Sequence, residues 1–132
     1  MAKVFVYGTL RAGGALHAHM KGADLVCSAG GVRGYAMFDL GPYPAVEPVQ
    51  TPHAVVVGEV YEVDAAHLAH LDRVEGVPSL YRRTLVDVVV GGGSDGDDTV
   101  EAYIYAMQPG HARGKRVRGG DWMRHVEGRV AL

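Results

Sequence analysis

The apolar residues of this chain recur mostly with the two-residue period of β-strands, and only one long stretch changes to a helical period. The helical stretch covers residues 65–75 and follows Asp64, whose side chain can cap its free N–H groups. In all we expect about six strands and two or three short helices. The clearest strand patterns are residues 3–7, 32–40, 54–63, 80–90 and 99–107. This order favours an α+β fold, a small mixed β-barrel with flanking helices, over a doubly wound parallel fold.

The connecting segments follow from their composition. Residues 41–44 contain two prolines and predict a rigid turn, and residues 91–98 are rich in Gly and Asp and predict a hairpin loop. Residues 109–118 predict a basic loop, and a short capped helix is expected from Asp121 to His125. Since no shift in composition marks a boundary, we expect one domain over residues 1–132.

Charge and composition exclude several classes of protein. The formal net charge is −2, which argues against binding to nucleic-acid phosphates, although residues 111–118 form a basic run without aromatic residues. A nucleic-acid-associated protein is therefore only a third hypothesis. Cys27 is the single cysteine, which favours a reducing compartment. With no signal-peptide pattern and no stretch of ~20 apolar residues, we expect a cytoplasmic protein that does not enter a membrane.

The seven histidines raise the question of a metal site. His17 and His19 are two residues apart, and His67 and His70 are three apart on the predicted helix. Neither pair has a carboxylate or thiol nearby in a ligand pattern. We therefore expect surface histidines and no metal.

Glu75 is the residue with the clearest chemical potential. Leu68, Leu71 and Glu75 follow a helical spacing and so share the face that should pack on the sheet, while Asp72 should point to solvent. Burial and the negative end of the helix dipole would both raise the pKa of Glu75 toward the range of a general acid or base. The alternative is a frayed helix end, with Glu75 in water or paired with Arg82 or Arg83.

A second candidate site is the turn that follows the first strand. Tyr7, Gly8, Thr9 and Leu10 leave that strand directly, and Gly8 permits a sharp turn. Successive N–H groups in such a turn can converge on an anion or a carbonyl oxygen. No Lys-Ser or Lys-Thr pair follows the glycines, so the turn is not a Walker loop. By itself the pattern also fits an ordinary strand-end turn.

Taken together, five motifs resemble the γ-glutamyl cyclotransferase family, and more narrowly its short γ-glutamylamine cyclotransferase-like branch. The resemblance spans most of the chain. Its motifs, in chain order, are Tyr7-Gly8-Thr9-Leu10 with Gly13, Gly41-Pro42-Tyr43-Pro44-Ala45-Val46, Leu71-Asp72-x-x-Glu75-Gly76, Tyr81-Arg82-Arg83 and Gly119-Gly120-Asp121-Trp122.

The resemblance implies a small barrel with flanking helices and a pocket at the Tyr7–Leu10 loop. It implies that backbone groups of this loop hold the α-carboxylate of a γ-glutamyl substrate, that Glu75 is the acid/base, and that Tyr81 and Tyr105 line the pocket. The reaction would form 5-oxoproline and release an amine, without a cofactor. The alternative is a non-catalytic module of the same fold that binds a small acidic metabolite. We expect a monomer and leave a dimer open.

Overall fold

The structure is a computed structural model that describes residues 1–51, 53–90 and 98–130. Within these ranges it contains eight strands, two α-helices and one 3₁₀ turn, His17–Met20. The strands are β1 (Ala2–Val6), β2 (Asp24–Arg33), β3 (Tyr35–Asp39), β4 (Pro44–Pro48), β5 (Val55–Val63), β6 (Arg82–Val89), β7 (Thr99–Ala106) and β8 (Lys115–Val117). The helices are α1 (Ala65–Val74) and α2 (Trp122–Val130).

Five of the strands close into a barrel in the order β1-β5-β2-β6-β7, and β4-β3-β8 form a separate three-stranded sheet. The barrel is mixed: β1 runs parallel to β7, and its other pairs are antiparallel. The predicted α+β fold with a small mixed barrel and flanking helices is therefore confirmed. None of the helices in the described ranges is long and apolar enough to cross a membrane.

The strand count differs from the prediction for local reasons. Most of β2 is exposed and contains two glycines, so it lacks the alternation that marks a half-buried strand. The strand predicted over residues 32–40 is two strands, because the chain turns at Gly34 with a φ of +82°. Part of the predicted rigid turn begins β4, which both starts and ends on a proline. The predicted basic loop contains β8.

The hairpin predicted between the fourth and fifth clear strands is present, because β6 and β7 are paired along their length. The Val90 N–H donates to the Asp98 carbonyl at 2.9 Å and closes the turn. Residues 91–97 of that predicted loop lie outside the described residues.

The alternation of β1 divides the core in two. Phe5 points into the barrel and packs with buried residues of the other barrel strands. Val4 and Val6 point outward and pack in a second cluster with Leu71 and Tyr105. Leu71 is fully buried, which fixes α1 against the outside of the barrel. The outer cluster thus joins the end of β1 to the end of α1, the two places where sequence analysis put site residues.

Candidate active site

A cavity of about 410 Å³ lies where β1, α1 and the start of β4 meet. All of the residues that sequence analysis assigned to a site are in its wall: Tyr7, Gly8, Thr9, Leu10, Glu75, Tyr81 and Tyr105. The structure therefore brings together residues that are up to 98 positions apart in the chain. The wall includes further residues that sequence analysis did not assign: Phe5, Val6, Ala15, Leu16, Pro42, Tyr43, Pro44, Val74 and Leu80.

The loop after β1 is oriented by its carbonyl groups. The Gly8 carbonyl accepts from the Arg11 N–H at 3.0 Å, the Thr9 carbonyl accepts from the Leu16 N–H at 2.9 Å, and the Leu10 carbonyl accepts from His17 Nδ1 at 2.8 Å. Within the described residues, nothing accepts from the N–H groups of Gly8, Thr9 or Leu10. Three consecutive donors are thus free at the wall of the cavity, an arrangement that suits a carboxylate or an oxyanion.

The glycine at the start of this loop is required by close packing. A Cβ added at Gly8 would lie 2.6 Å from Pro44 Cγ, closer than van der Waals contact allows. Both prolines of residues 42–44 line the cavity, and Pro44 packs directly against Gly8. The Gly-Pro-Tyr-Pro segment predicts a turn from the sequence. A turn pattern does not indicate which surface the turn covers, so these wall residues could not be assigned to the cavity.

A buried carboxylate holds the loop after β1 in place through Arg11 and Ala12. Glu59, which is 6% exposed, accepts from the Ala12 N–H at 2.9 Å and from the Tyr61 hydroxyl at 2.8 Å. Its other oxygen pairs with Arg11 Nε at 3.2 Å, and Arg11 Nη1 reaches Asp121 at 2.9 Å. Burial and the Glu59 charge raise the pKa of Tyr61 to about 12, so this hydroxyl remains a donor. Sequence reasoning missed Glu59, because alternation along β5 gives no sign that this carboxylate is buried.

We expect Glu59→Gln to lower the free energy of unfolding by about 2 kcal/mol. The amide can still accept from Ala12 and Tyr61, but it leaves the buried Arg11 guanidinium without a counter-charge on that side. Urea denaturation measures this loss. Glu62→Gln on the same strand, whose partner Lys3 is 3.8 Å away in a half-exposed pair, is the matched control and should change stability by less than about 1 kcal/mol. Equal effects of the two substitutions would contradict this role for Glu59.

Glu75 lies at the C-terminal end of α1, where its N–H donates to the Leu71 carbonyl at 2.9 Å. Its side chain is half-buried in the cavity wall. No donor or cation among the described residues bonds its carboxylate, since Arg83 pairs with Asp72 and Arg82 lies against the amide of Gln108. Loss of water raises the pKa of Glu75 from 4.5 to about 7. Of the two alternatives left open by the sequence, neither the solvated nor the arginine-paired glutamate is found.

Three of the four tyrosines of the wall, Tyr7, Tyr81 and Tyr105, are nearly inaccessible to solvent, and the hydroxyl of each donates to an acceptor in the protein. Tyr7 donates to the Tyr105 carbonyl at 2.6 Å, Tyr81 to the Pro44 carbonyl at 2.8 Å, and Tyr105 to Asp72 Oδ1 at 2.8 Å. Burial, with the nearby charge of Glu75 among the smaller causes, raises the pKa of all three phenols well above the ordinary value. They are therefore neutral at physiological pH.

The prediction that Asp72 points to solvent is wrong. Asp72 is half-buried, accepts from Tyr105 and lies 3.0 Å from Arg83 Nε, a distance that fits an ion pair although the Nε–H is poorly aligned for a hydrogen bond. The Arg83 guanidinium lies 4.3 Å from the centre of the Tyr103 ring. A helical wheel could not show this, because the partners of Asp72 come from β6 and β7.

The histidines lie outside the cavity. His19 Nδ1 and His70 Nε2 are 3.0 Å apart and link the 3₁₀ turn to α1, and His67 Nε2 lies 2.7 Å from the His19 carbonyl. Within residues 1–51, 53–90 and 98–130, no three side chains of His, Cys, Asp or Glu converge as metal ligands would.

Comparison with known proteins agrees with this geometry. The profile of the family described as gamma-glutamyl cyclotransferase, AIG2-like, matches residues 4–124. A putative gamma-glutamylcyclotransferase of Vibrio cholerae is 39% identical over 124 residues, which are 93% of this chain and 96% of that protein. The gamma-glutamylaminecyclotransferase of Rattus norvegicus is 35% identical over 117 residues, 80% of this chain and 78% of that protein.

Solved structures give the same result. The crystal structure of an AIG2-like protein from Mus musculus is 33% identical, with a TM-score of 0.68 over 81% of this chain and 77% of that chain. The crystal structure of an uncharacterized protein from Pyrococcus horikoshii is 25% identical, with a TM-score of 0.73 over 99% of this chain and 98% of that chain. Because the profile and the relatives cover most of the sequence, the chain belongs to the gamma-glutamyl cyclotransferase, AIG2-like family.

Proposed function

We propose that this protein cyclises a γ-glutamyl amine or amide to 5-oxoproline and releases the free amine, with Glu75 as the general acid and base. The observation that carries the proposal is the unpaired, half-buried carboxylate of Glu75, whose pKa near 7 suits proton transfer in both directions at physiological pH. Membership of the cyclotransferase family supports this class of reaction in general. A module that only binds a metabolite has no need of a carboxyl group whose pKa lies near 7.

The cavity offers complementary groups to the two charged substituents of the α-carbon of a γ-glutamyl unit. The free N–H groups of Gly8, Thr9 and Leu10 suit the α-carboxylate. Glu75, at the end of α1, suits the α-amino group. With the α-carbon held in this way, rotation about the side-chain bonds can bring the γ-carbonyl carbon to the α-nitrogen and close a five-membered ring. Because the nucleophile and the electrophile belong to one molecule, much of the entropic barrier to the reaction is already removed.

The steps that remain are proton transfers. The α-nitrogen forms a bond to the γ-carbon, and the bond from that carbon to the leaving nitrogen breaks. From α-ammonium to lactam the α-nitrogen loses two protons, and the leaving nitrogen gains two and departs as an ammonium ion. Glu75 accepts a proton from the first nitrogen and returns it to the second, and it can do so in successive steps.

The side chains of the cavity wall favour one class of leaving amine. Leu16 and Leu80 are 39% and 44% exposed, and both belong to the cavity wall. No Lys or Arg side chain is present in the described wall to pair with a carboxylate of a leaving amino acid. The rat relative is named for action on γ-glutamylamines. We therefore propose amines with an apolar stem as leaving groups, in preference to amino acids.

Mass spectrometry for 5-oxoproline tests the proposal. The purified protein is incubated with γ-glutamyl conjugates of an alkylamine, a diamine, the lysine side chain and an α-amino acid. We expect 5-oxoproline in stoichiometric amounts with the free amine, formed faster from the alkylamine conjugate than from the amino-acid conjugate. Absence of 5-oxoproline from every conjugate would overturn the proposed reaction, and the reverse order of rates would overturn the proposed leaving group.

A further inference from the structure

Three of the four tyrosines in the cavity wall donate their hydroxyl hydrogens to acceptors within the protein. A phenol has one hydrogen to donate, and Tyr7, Tyr81 and Tyr105 each use it on an acceptor in the protein. The lone pairs that remain on these oxygens can only accept. Glu75 lines the same cavity as these three phenols, and its charge contributes to the raised pKa of each. Toward a ligand beside Glu75, these three oxygens therefore act as hydrogen-bond acceptors.

The chemical group that matches such a surface is a donor with several N–H bonds and a positive charge. An ammonium group has three donors and no acceptor, so it can bond two or three of these oxygens at once. A hydroxyl or a methylene in the same place would leave most of them unpaired. If the proposed function is right, the α-ammonium group of the γ-glutamyl substrate is the group that meets this surface.

One of the three acceptors depends on a side chain. Tyr7 and Tyr81 donate to backbone carbonyls, whose direction the fold determines. Tyr105 donates to Asp72, and an ionised carboxylate can only accept. Arg83 lies against Asp72 at 3.0 Å and so holds the carboxylate in place beneath Tyr105. An amide at this position could present its NH₂ group to Tyr105 and so turn the phenolic hydrogen into the cavity.

We propose that Asp72 is a positioning residue that keeps the Tyr105 oxygen an acceptor for the α-ammonium group of the substrate. This inference rests on the proposed function and deepens it. Asp72 touches Tyr105 and not the reacting atoms, so its effect on a ligand depends on whether that ligand carries an ammonium group in this place. A residue that merely supports the fold would affect every ligand of the cavity alike.

The test compares two ligands that differ only at the α-carbon. The γ-glutamyl conjugate of n-butylamine carries the α-ammonium group, and the N-butyl monoamide of glutaric acid lacks it and cannot cyclise. We expect Asp72→Asn to raise KM for the first by about tenfold. The inhibition constant of the second should stay within about twofold. Asp87→Asn, an exposed aspartate on the same strand as Arg83, is the control and should change neither value.

Tyr105→Phe removes the acceptor itself and should show the same split between the two ligands. If Asp72 acts through Tyr105, then Asp72→Asn has no further effect on KM in the Tyr105→Phe background. This second variant keeps the inference testable if Asp72→Asn does not fold. Equal losses for both ligands, or additive effects of the two substitutions, would overturn the role of Asp72.

Failure of the proposed function is recognised separately. If the wild-type protein forms no 5-oxoproline, calorimetric dissociation constants of the same two ligands replace KM and the inhibition constant, and the same comparison decides the role of Asp72. If neither ligand binds the wild-type protein, both the function and the role of Asp72 are wrong. Turnover by the wild type, with equal losses for both ligands in Asp72→Asn, overturns the positioning role alone.

Discussion

Replacing Glu75 by glutamine should lower kcat for 5-oxoproline formation by about 10²–10⁴-fold, the usual contribution of a general acid or base. Glutamine keeps the shape of the side chain but can neither accept nor return a proton at neutral pH. Mass spectrometry of 5-oxoproline over time gives the rate. For the wild type, kcat/KM should rise with pH through about 7, because the free enzyme needs Glu75 as the carboxylate.

Two further variants serve as comparisons for this result. Glu127→Gln changes an exposed glutamate of α2 and should leave kcat unchanged. Glu75→Asp keeps the carboxylate but shortens the side chain by one methylene, and it should retain more activity than Glu75→Gln. A folded Glu75→Gln protein with full turnover would rule out the acid/base role, and a kcat/KM that falls as pH rises through 7 would contradict the need for a carboxylate.

The same substitution should stabilise the protein at alkaline pH. The pKa of Glu75 is about 7 in the folded state and 4.5 in an unperturbed glutamate. Between these values the folded chain binds more protons than the unfolded chain, so stability falls as pH rises, and above pH 7 the loss is complete. A difference of this size corresponds to about 3 kcal/mol. Glutamine is neutral throughout, so Glu75→Gln should be more stable than the wild type by about 3 kcal/mol at pH 8.5.

Urea denaturation at pH 4.5 and at pH 8.5 measures this difference. At pH 4.5 the two proteins should differ by less than about 1 kcal/mol, because the folded wild type is protonated at Glu75. Glu127→Gln should show no such dependence on pH. A Glu75→Gln protein that is less stable than the wild type at pH 8.5 would mean that the carboxylate has a partner in the folded state.

The clearest strands and the long helix could be predicted because each depends on local periodicity. The period of the Val55–Val63 strand and the cap at Asp64 are properties of a few consecutive residues, and both are found. The strand Asp24–Arg33 could not be predicted, because it is held by pairing with β5 and not by its own pattern. Closure of the barrel depends on the pairing of β1 with β7, and no local feature of the sequence indicates that these two strands are neighbours.

The site, too, contains residues that a local pattern predicts and residues that it does not. The helical stripe of Leu68, Leu71 and Glu75 predicts a carboxylate toward the core, and Glu75 does lie in the cavity wall. The apolar face of the helix predicts a solvent position for Asp72, because a helical pattern describes one helix and not the strands around it. The phenol that bonds Asp72 comes from β7, and the arginine comes from β6. Glu59 was missed for the same reason, since its partners lie in the loop after β1 and at Asp121.

The parallel contact between β1 and β7 has a consequence for the order in which the molecule forms. Val4 lies beside Tyr103 and Phe5 beside Ile104, so the first strand must find a partner almost a hundred residues away. Contacts between such distant segments form late, since the entropy of closing the loop must be overcome first. During synthesis Glu75 leaves the ribosome well before Tyr105 does. The cavity therefore lacks its Tyr105 wall until β7 has been synthesised and has paired with β1.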